Sequence, residues 1–163
     1  MWIFLDGFGT DKELSWEELA LCETQGALFE SISDGLYEPE WFVNAYLEWD
    51  RVKDIDKNLS GFRYLGDLQI LDIMRKEFEM KLSSNQLASE SAMFWIGYIT
   101  RYWNCWLGTL SSEIVAKVPF DKLYSYYPLH TLGNEEALLR IIMDEQLLVN
   151  EDRLVKKESI VLW

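Results

Sequence analysis

Residues 89–107 constrain the fold more than any other stretch of the chain. Met93, Phe94, Trp95, Ile96, Tyr98, Ile99, Tyr102, Trp103, Trp106 and Leu107 recur there at helical spacing, and Gly108 closes the run. Only a narrow polar strip of Gly97, Thr100, Arg101 and Asn104 is left. A helix apolar nearly all round has to be surrounded, so the rest of the chain must supply amphipathic partners. The strongly apolar part, residues 92–99, is too short to span a bilayer and ends at Thr100-Arg101.

The flanking sequence supplies such partners. Ser15-Trp16-Glu17-Glu18 has the form of a capping box and predicts a helix to about residue 32, ended by Asp34-Gly35. Pro39 suits the first turn of a second helix that carries Phe42, Ala45, Tyr46 and Trp49 on one stripe. The polar residues around 54–61 read as a loop. A third helix over about 65–82 would face inward with Leu68, Leu71, Met74 and Phe78. Its outer side would carry the i,i+4 pairs Asp72 with Lys76 and Glu77 with Lys81. Short helical pieces follow over 111–118 and 120–127, stopped by Pro119 and Pro128. Gly133-Asn134 opens a last helix to about residue 147, with Leu138, Ile141 and Ile142 inward. The expectation is a mainly α, single-domain helical bundle of about five to seven helices spanning residues 1–163. The apolar ends, 2–5 and 160–163, have strand character and could pair with each other.

Charge separates the first fifty residues from the remainder. They carry twelve acids against Lys12 alone, a net of −11, while residues 51–163 carry sixteen acids and fourteen bases, a net of −2. The overall net charge of −13 argues against direct nucleic-acid binding, which needs a basic footprint, and against anionic membrane surfaces. The start of the chain lacks the basic residues of a signal peptide, and Cys22 and Cys105 lack CxxC spacing. A cytoplasmic protein with two buried thiols is expected. The acidic third also holds Trp2, Trp16, Trp41 and Trp49. Acids steer an encounter with a basic protein and aromatics anchor it.

Motifs for chemistry are sparse. Asp6-Gly7-Phe8-Gly9-Thr10 after an apolar run resembles the nucleophile motif of haloacid-dehalogenase-type phosphatases, and Gly66-Asp67 with Asp72 resembles their acidic magnesium motif. That family alternates parallel strands with helices, whereas the chain between these motifs reads as helical, so Asp6-Gly7 fits a turn better. Residues 109–116 resemble the second helix of a helix-turn-helix, but the helix after it holds a single base, Lys122. His130 is the one histidine and has no triad order or metal-ligand companion around it in the sequence. A hydrogen-bonded structural role suits it better than acid–base work, and neither a metal nor a cofactor is expected. The Gly97/Thr100/Arg101/Asn104 strip reads as solvent-facing or, alternatively, as the lining of a pocket. Arg101 could instead answer an acid from the N-terminal third.

Phe94-Trp95-Ile96-Gly97-Tyr98-Ile99-Thr100-Arg101-Tyr102-Trp103, Ser111-Ser112-Glu113-Ile114 and His130-Thr131-Leu132 together resemble small uncharacterised bacterial proteins from toxin–antitoxin or mobile-element neighbourhoods in Gram-positive bacteria. The resemblance covers about residues 93–142 and carries no residue-by-residue function. The functional expectation is a non-enzymatic acidic binding protein, an antitoxin- or immunity-type inhibitor of a basic toxin or nuclease. Trp16, Glu17, Glu18, Glu38, Glu40, Trp41, Glu48 and Trp49 are the candidate partner-binding residues. Glu38, Glu40 and Glu48 are expected to be solvated around the second helix. The alternatives are a nucleic-acid mimic that occupies the cleft of a nuclease or regulator, and a small hydrolase built on Asp6 or His130.

Overall fold

A computed structural model of the chain describes residues 13–58, 64–83 and 88–147. The described residues form eight α-helices and no sheet. These are α1 (Trp16–Ser31), α2 (Pro39–Glu48), α3 (Asp50–Asp56), α4 (Asp67–Glu77), α5 (Glu90–Leu107), α6 (Ser111–Lys117), α7 (Phe120–Ser125) and α8 (Asn134–Asp144). The mainly α expectation holds. The terminal runs, Asp6 and the two apolar ends lie outside the described residues.

The central helix is α5, where the apolar pattern puts it. Ser89 caps it by accepting from the Ala92 N–H, and Gly108 ends it in the left-handed region at φ 76°. Helix α1 packs along it, α6, α7 and α8 also lie against it, and α2 packs on α6 and α7. Ser15 and Glu18 form the reciprocal cap of α1, each bonding the other's backbone N–H, at 3.1 and 3.0 Å. Gly35 at φ 90° turns the chain out of the 3₁₀ turn that follows α1. An aromatic layer of Phe29, Phe42 and Tyr46 fills the space between α1 and α2, with rings edge-on at 5.9 and 5.3 Å.

Two glycines allow α1 and α5 to approach. A Cβ on Gly97 would lie 2.8 Å from the carbonyl carbon of Gln25 and collide with its oxygen, so backbone meets backbone there. Gly26 faces the ring of Phe94. The Gly97/Thr100/Arg101/Asn104 strip is therefore neither solvent-facing nor pocket lining. All four residues are buried, because Gly97 draws α1 down onto this side of α5.

The third predicted helix is shorter than its pattern. It ends at Glu77 because residues 78–83 are drawn out beside 36–38: Glu38 N–H donates to the Lys81 carbonyl and Ser83 N–H to that of Leu36. Leu71 and Met74 face inward as expected and Ile70 joins them, whereas Leu68 is exposed. The pair Asp72–Lys76 forms at 3.9 Å, but Glu77 turns to Arg51 and Lys81 to Glu38. Residues 50–56, the latter part of which reads as loop, are helical because Val52 and Ile55 are buried.

Candidate functional site

Polar groups in the core form one network, in which Arg101 Nη2 is buried without a hydrogen-bond partner. Asp56 and Arg101 are paired at 2.6 Å, with side chains 0% and 1% exposed. Gln25 links the two long helices: its amide donates to the Gly97 carbonyl and Thr100 Oγ1, and its Oε1 accepts from Arg101 Nε. Asn104 Oδ1 accepts from Arg101 Nη1 at 3.0 Å. The Asp56 carboxylate also accepts from the Ser111 N–H and hydroxyl, at 2.7 and 2.8 Å. It thus satisfies an orphan donor at the start of α6, whose own N-cap, Leu110, supplies no side-chain bond. Burial opposes the Arg101 charge, but Tyr46, Asp56 and Cys105 outweigh it and hold the guanidinium above its ordinary pKa. Burial pushes the Tyr46 phenol up, with Arg101 pulling the other way. These groups are committed to one another, and the network joins α1, α3, α5 and α6. Its role is structural.

The sequence reading of Arg101 as a structural ion pair has the right kind of partner, which sits at residue 56, just past the acidic third. Cys22 is buried and Cys105 only partly so. The two thiols, distant in sequence, meet between α1 and α5, and Cys105 together with burial pushes the Cys22 thiol up. His130 is exposed, stacked on Tyr127 at 4.3 Å, with Nδ1 2.8 Å from the Tyr127 carbonyl. Its contacts are local. Lys122, the sole base of α7, is paired with Glu145 at 2.7 Å.

The candidate binding residues separate into two surfaces. On the first, Trp16 is 77% exposed at the start of α1. It shares a groove of about 260 Å³ with Glu17, Ala20, Leu21 and Thr24, closed on the other side by residues 64–66. Tyr64 is 74% exposed there, and Leu68 follows on α4 at 71%. Capping explains the placement: Ser15 must point back at the N–H of Glu18, and the next side chain leaves the helix outward. Glu18 is occupied by the cap, so Glu17 is the acid this groove presents. Tyr64 and Leu68 were not among the sequence candidates. Leu68 sits on a helical apolar stripe and reads as core, and Tyr64 lies in a segment with no periodicity.

On the second surface, Trp41, Ala45 and Glu48 line a groove of about 540 Å³ with Trp49, Asp50 and Phe78. Trp49 is buried, its indole N–H donating to Glu77 at 3.2 Å, so only part of its ring reaches the groove. Trp41 is half-buried and packs edge-on against Phe78. Glu40 and Glu48 are exposed. Glu38 is not solvated as expected: its side chain is 18% exposed and pairs with Lys81 at 3.1 Å, because the 78–83 segment brings that lysine alongside.

Among the described residues no group of three His, Cys, Asp or Glu side chains is arranged to hold a metal ion, and no helix is long and apolar enough to cross a membrane. Among the described residues the architecture is all-α. Comparison with known proteins matches the chain to no family model, and finds no curated protein and no solved structure similar to it.

Proposed function

We propose that the protein is a non-enzymatic, acidic binding protein that inhibits a basic protein partner in the manner of an antitoxin or immunity protein. The observation that carries this reading is Trp16, open to solvent beside Tyr64 and Glu17 in a segment, residues 13–50, with ten acids and no base. Trp16 and Tyr64, both largely exposed beside one groove, make an apolar patch of the kind that marks an interaction surface, and an acidic surround selects a cationic partner.

Replacing Trp16 by Ala is expected to weaken partner binding by about 2 kcal/mol or more. The melting curve should barely move, since the side chain contributes little to the core. Calorimetric titration against the products of adjacent genes measures the first, and circular dichroism the second. Equal affinity of Trp16→Ala and the parent would remove this surface from consideration.

Association should also depend on salt. Exposed charges further apart than about 8–10 Å are screened at physiological ionic strength, whereas desolvated aromatic contacts are not. Neutralising the exposed Glu17, Glu40 and Glu48 together is expected to slow association about tenfold at low salt and to leave dissociation nearly unchanged. Stopped-flow fluorescence reads both rates. Indifference to salt and to the triple change would reduce the charge asymmetry to a solubility feature.

Nucleic-acid mimicry calls for carboxylates spaced along a face without aromatics between them. Trp16 and Tyr64 interleave with Glu17 in the first groove, while Glu18 and Glu38 are engaged internally, and both facts favour a conventional protein interface. The hydrolase alternative draws no support from His130, which faces solvent and stacks on Tyr127.

A further inference from the structure

The groove between α2 and the end of α4 presents aromatic rings and acceptors but no cation of its own. Trp41 and Phe78 meet edge-on with centroids 6.2 Å apart, and Trp49 and Phe78 do so at 5.4 Å. Three rings thus wall one groove, together with Asn44, Glu48 and Asp50. Asn44 Oδ1 is shut away from water and has no hydrogen-bond partner, an arrangement proteins normally avoid. Asp50 is shared with Lys53 at 3.3 Å, while Glu48 forms no ion pair among the described residues and is exposed at the rim. Every polar group that could address a ligand here is an acceptor, apart from the Trp49 indole N–H and the Asn44 amide, and the former is spent on Glu77. Ring faces and carboxylates together are the complement of a planar cation.

The same combination already occurs within the chain at the edge of this groove. The Arg51 guanidinium lies over the Trp49 ring, 5.9 Å from its centroid, and Glu77 holds it in place by accepting from Nε at 2.6 Å. We infer that the Trp41–Trp49–Phe78 groove is an arginine pocket, which takes one guanidinium side chain of the basic partner against Trp41 with Glu48 as its counter-charge. Arginine suits it better than lysine. A flat, weakly hydrated guanidinium stacks on a ring while its N–H groups reach Glu48 at the rim, whereas a compact ammonium keeps its water.

The inference deepens the proposed function and rests on a basic partner, but it is tested without one. The probes are acetyl-Gly-Arg-Gly-amide, its lysine counterpart, and its citrulline counterpart, which has arginine's shape without the charge. Indole N–H resonances of ¹⁵N-labelled protein report where each binds. The arginine peptide should move the Trp41 resonance, with the citrulline and lysine peptides binding at least about fivefold more weakly. Glu48→Gln, at an exposed position that leaves the core intact, should weaken the arginine peptide about threefold. Equal binding of the citrulline peptide, equal binding of the lysine peptide, or the absence of a shift at Trp41 each overturns the pocket. A shift at Trp16 alone also overturns it and leaves the basic-partner reading standing, because that reading is tested on Trp16 and on salt.

Discussion

Replacing Asp56 by Ala is expected to remove about 3–5 kcal/mol of stability, which is the usual consequence of leaving one member of a buried ion pair without its partner. Three interactions end on this carboxylate: the Arg101 guanidinium, the Ser111 N–H and the Ser111 hydroxyl. With Asp56 gone, a guanidinium 1% exposed keeps its charge in the core with no carboxylate against it, and Gln25 and Asn104, which hydrogen-bond it, are neutral. Folded domains are stable by only about 5–15 kcal/mol, so the variant should lie near the edge of folding at room temperature. Urea unfolding followed by far-ultraviolet circular dichroism measures the loss. The double change Asp56→Asn with Arg101→Met should recover much of it, since two uncharged groups of similar volume remove the stranded charge. A loss under about 1 kcal/mol for Asp56→Ala would mean that water reaches Arg101 and that the network is not sealed.

Gly97→Ala is the second large effect. Alanine improves helix propensity by about 1 kcal/mol over glycine, so an isolated helix would gain from the change. Here the added Cβ meets the Gln25 carbonyl group and the Cα of Gly26. These are backbone atoms, and they move only if the two longest helices part. A net loss of about 2–3 kcal/mol is expected. Separation would also stretch the bonds from the Gln25 amide to Gly97 and Thr100, both 2.9 Å. Gly26→Ala offers the contrast within the same contact. Its obstacle is the outer edge of the half-buried Phe94 ring, which can swing aside. That change should cost well under half as much. Thermal melts of the two variants side by side decide the matter, and equal losses would show that the glycines serve general helix packing rather than one backbone contact.

These two effects meet at one place, where Gln25 and Gly97 join α1 to α5, and the two proposed binding grooves lie elsewhere. Trp16 projects from the capped start of α1, and the Trp41 groove lies along the outer side of α2. Substitutions at either groove should therefore change binding with little change in stability, and substitutions in the network should do the reverse.

Much of the local structure was legible in residue order. The limits of α5 follow from Ser89, Gly108 and the apolar repeat between them. The start of α1 follows from Ser15 and Glu18, and its exit from Gly35, because caps and left-handed turns are decided by neighbours in the chain. The acidic character of the first fifty residues and the exposure of Glu17, Glu40 and Glu48 also lie within reach of the sequence.

What tertiary structure alone decided involves partners distant in sequence. The polar strip of α5 is periodic enough to pass for a wet face, and it is buried because Gly97 admits the backbone of α1 and Asp56 arrives from α3. Leu68 has the spacing of a core residue and is exposed, whereas Trp49 has the look of an anchor and is largely enclosed, tied to Glu77. Glu38 lost its solvent to Lys81 once residues 78–83 paired with 36–38 and stopped α4 short. Periodicity shows which side of a helix is apolar. It carries no record of which other helix covers that side, or of the charge that comes with it.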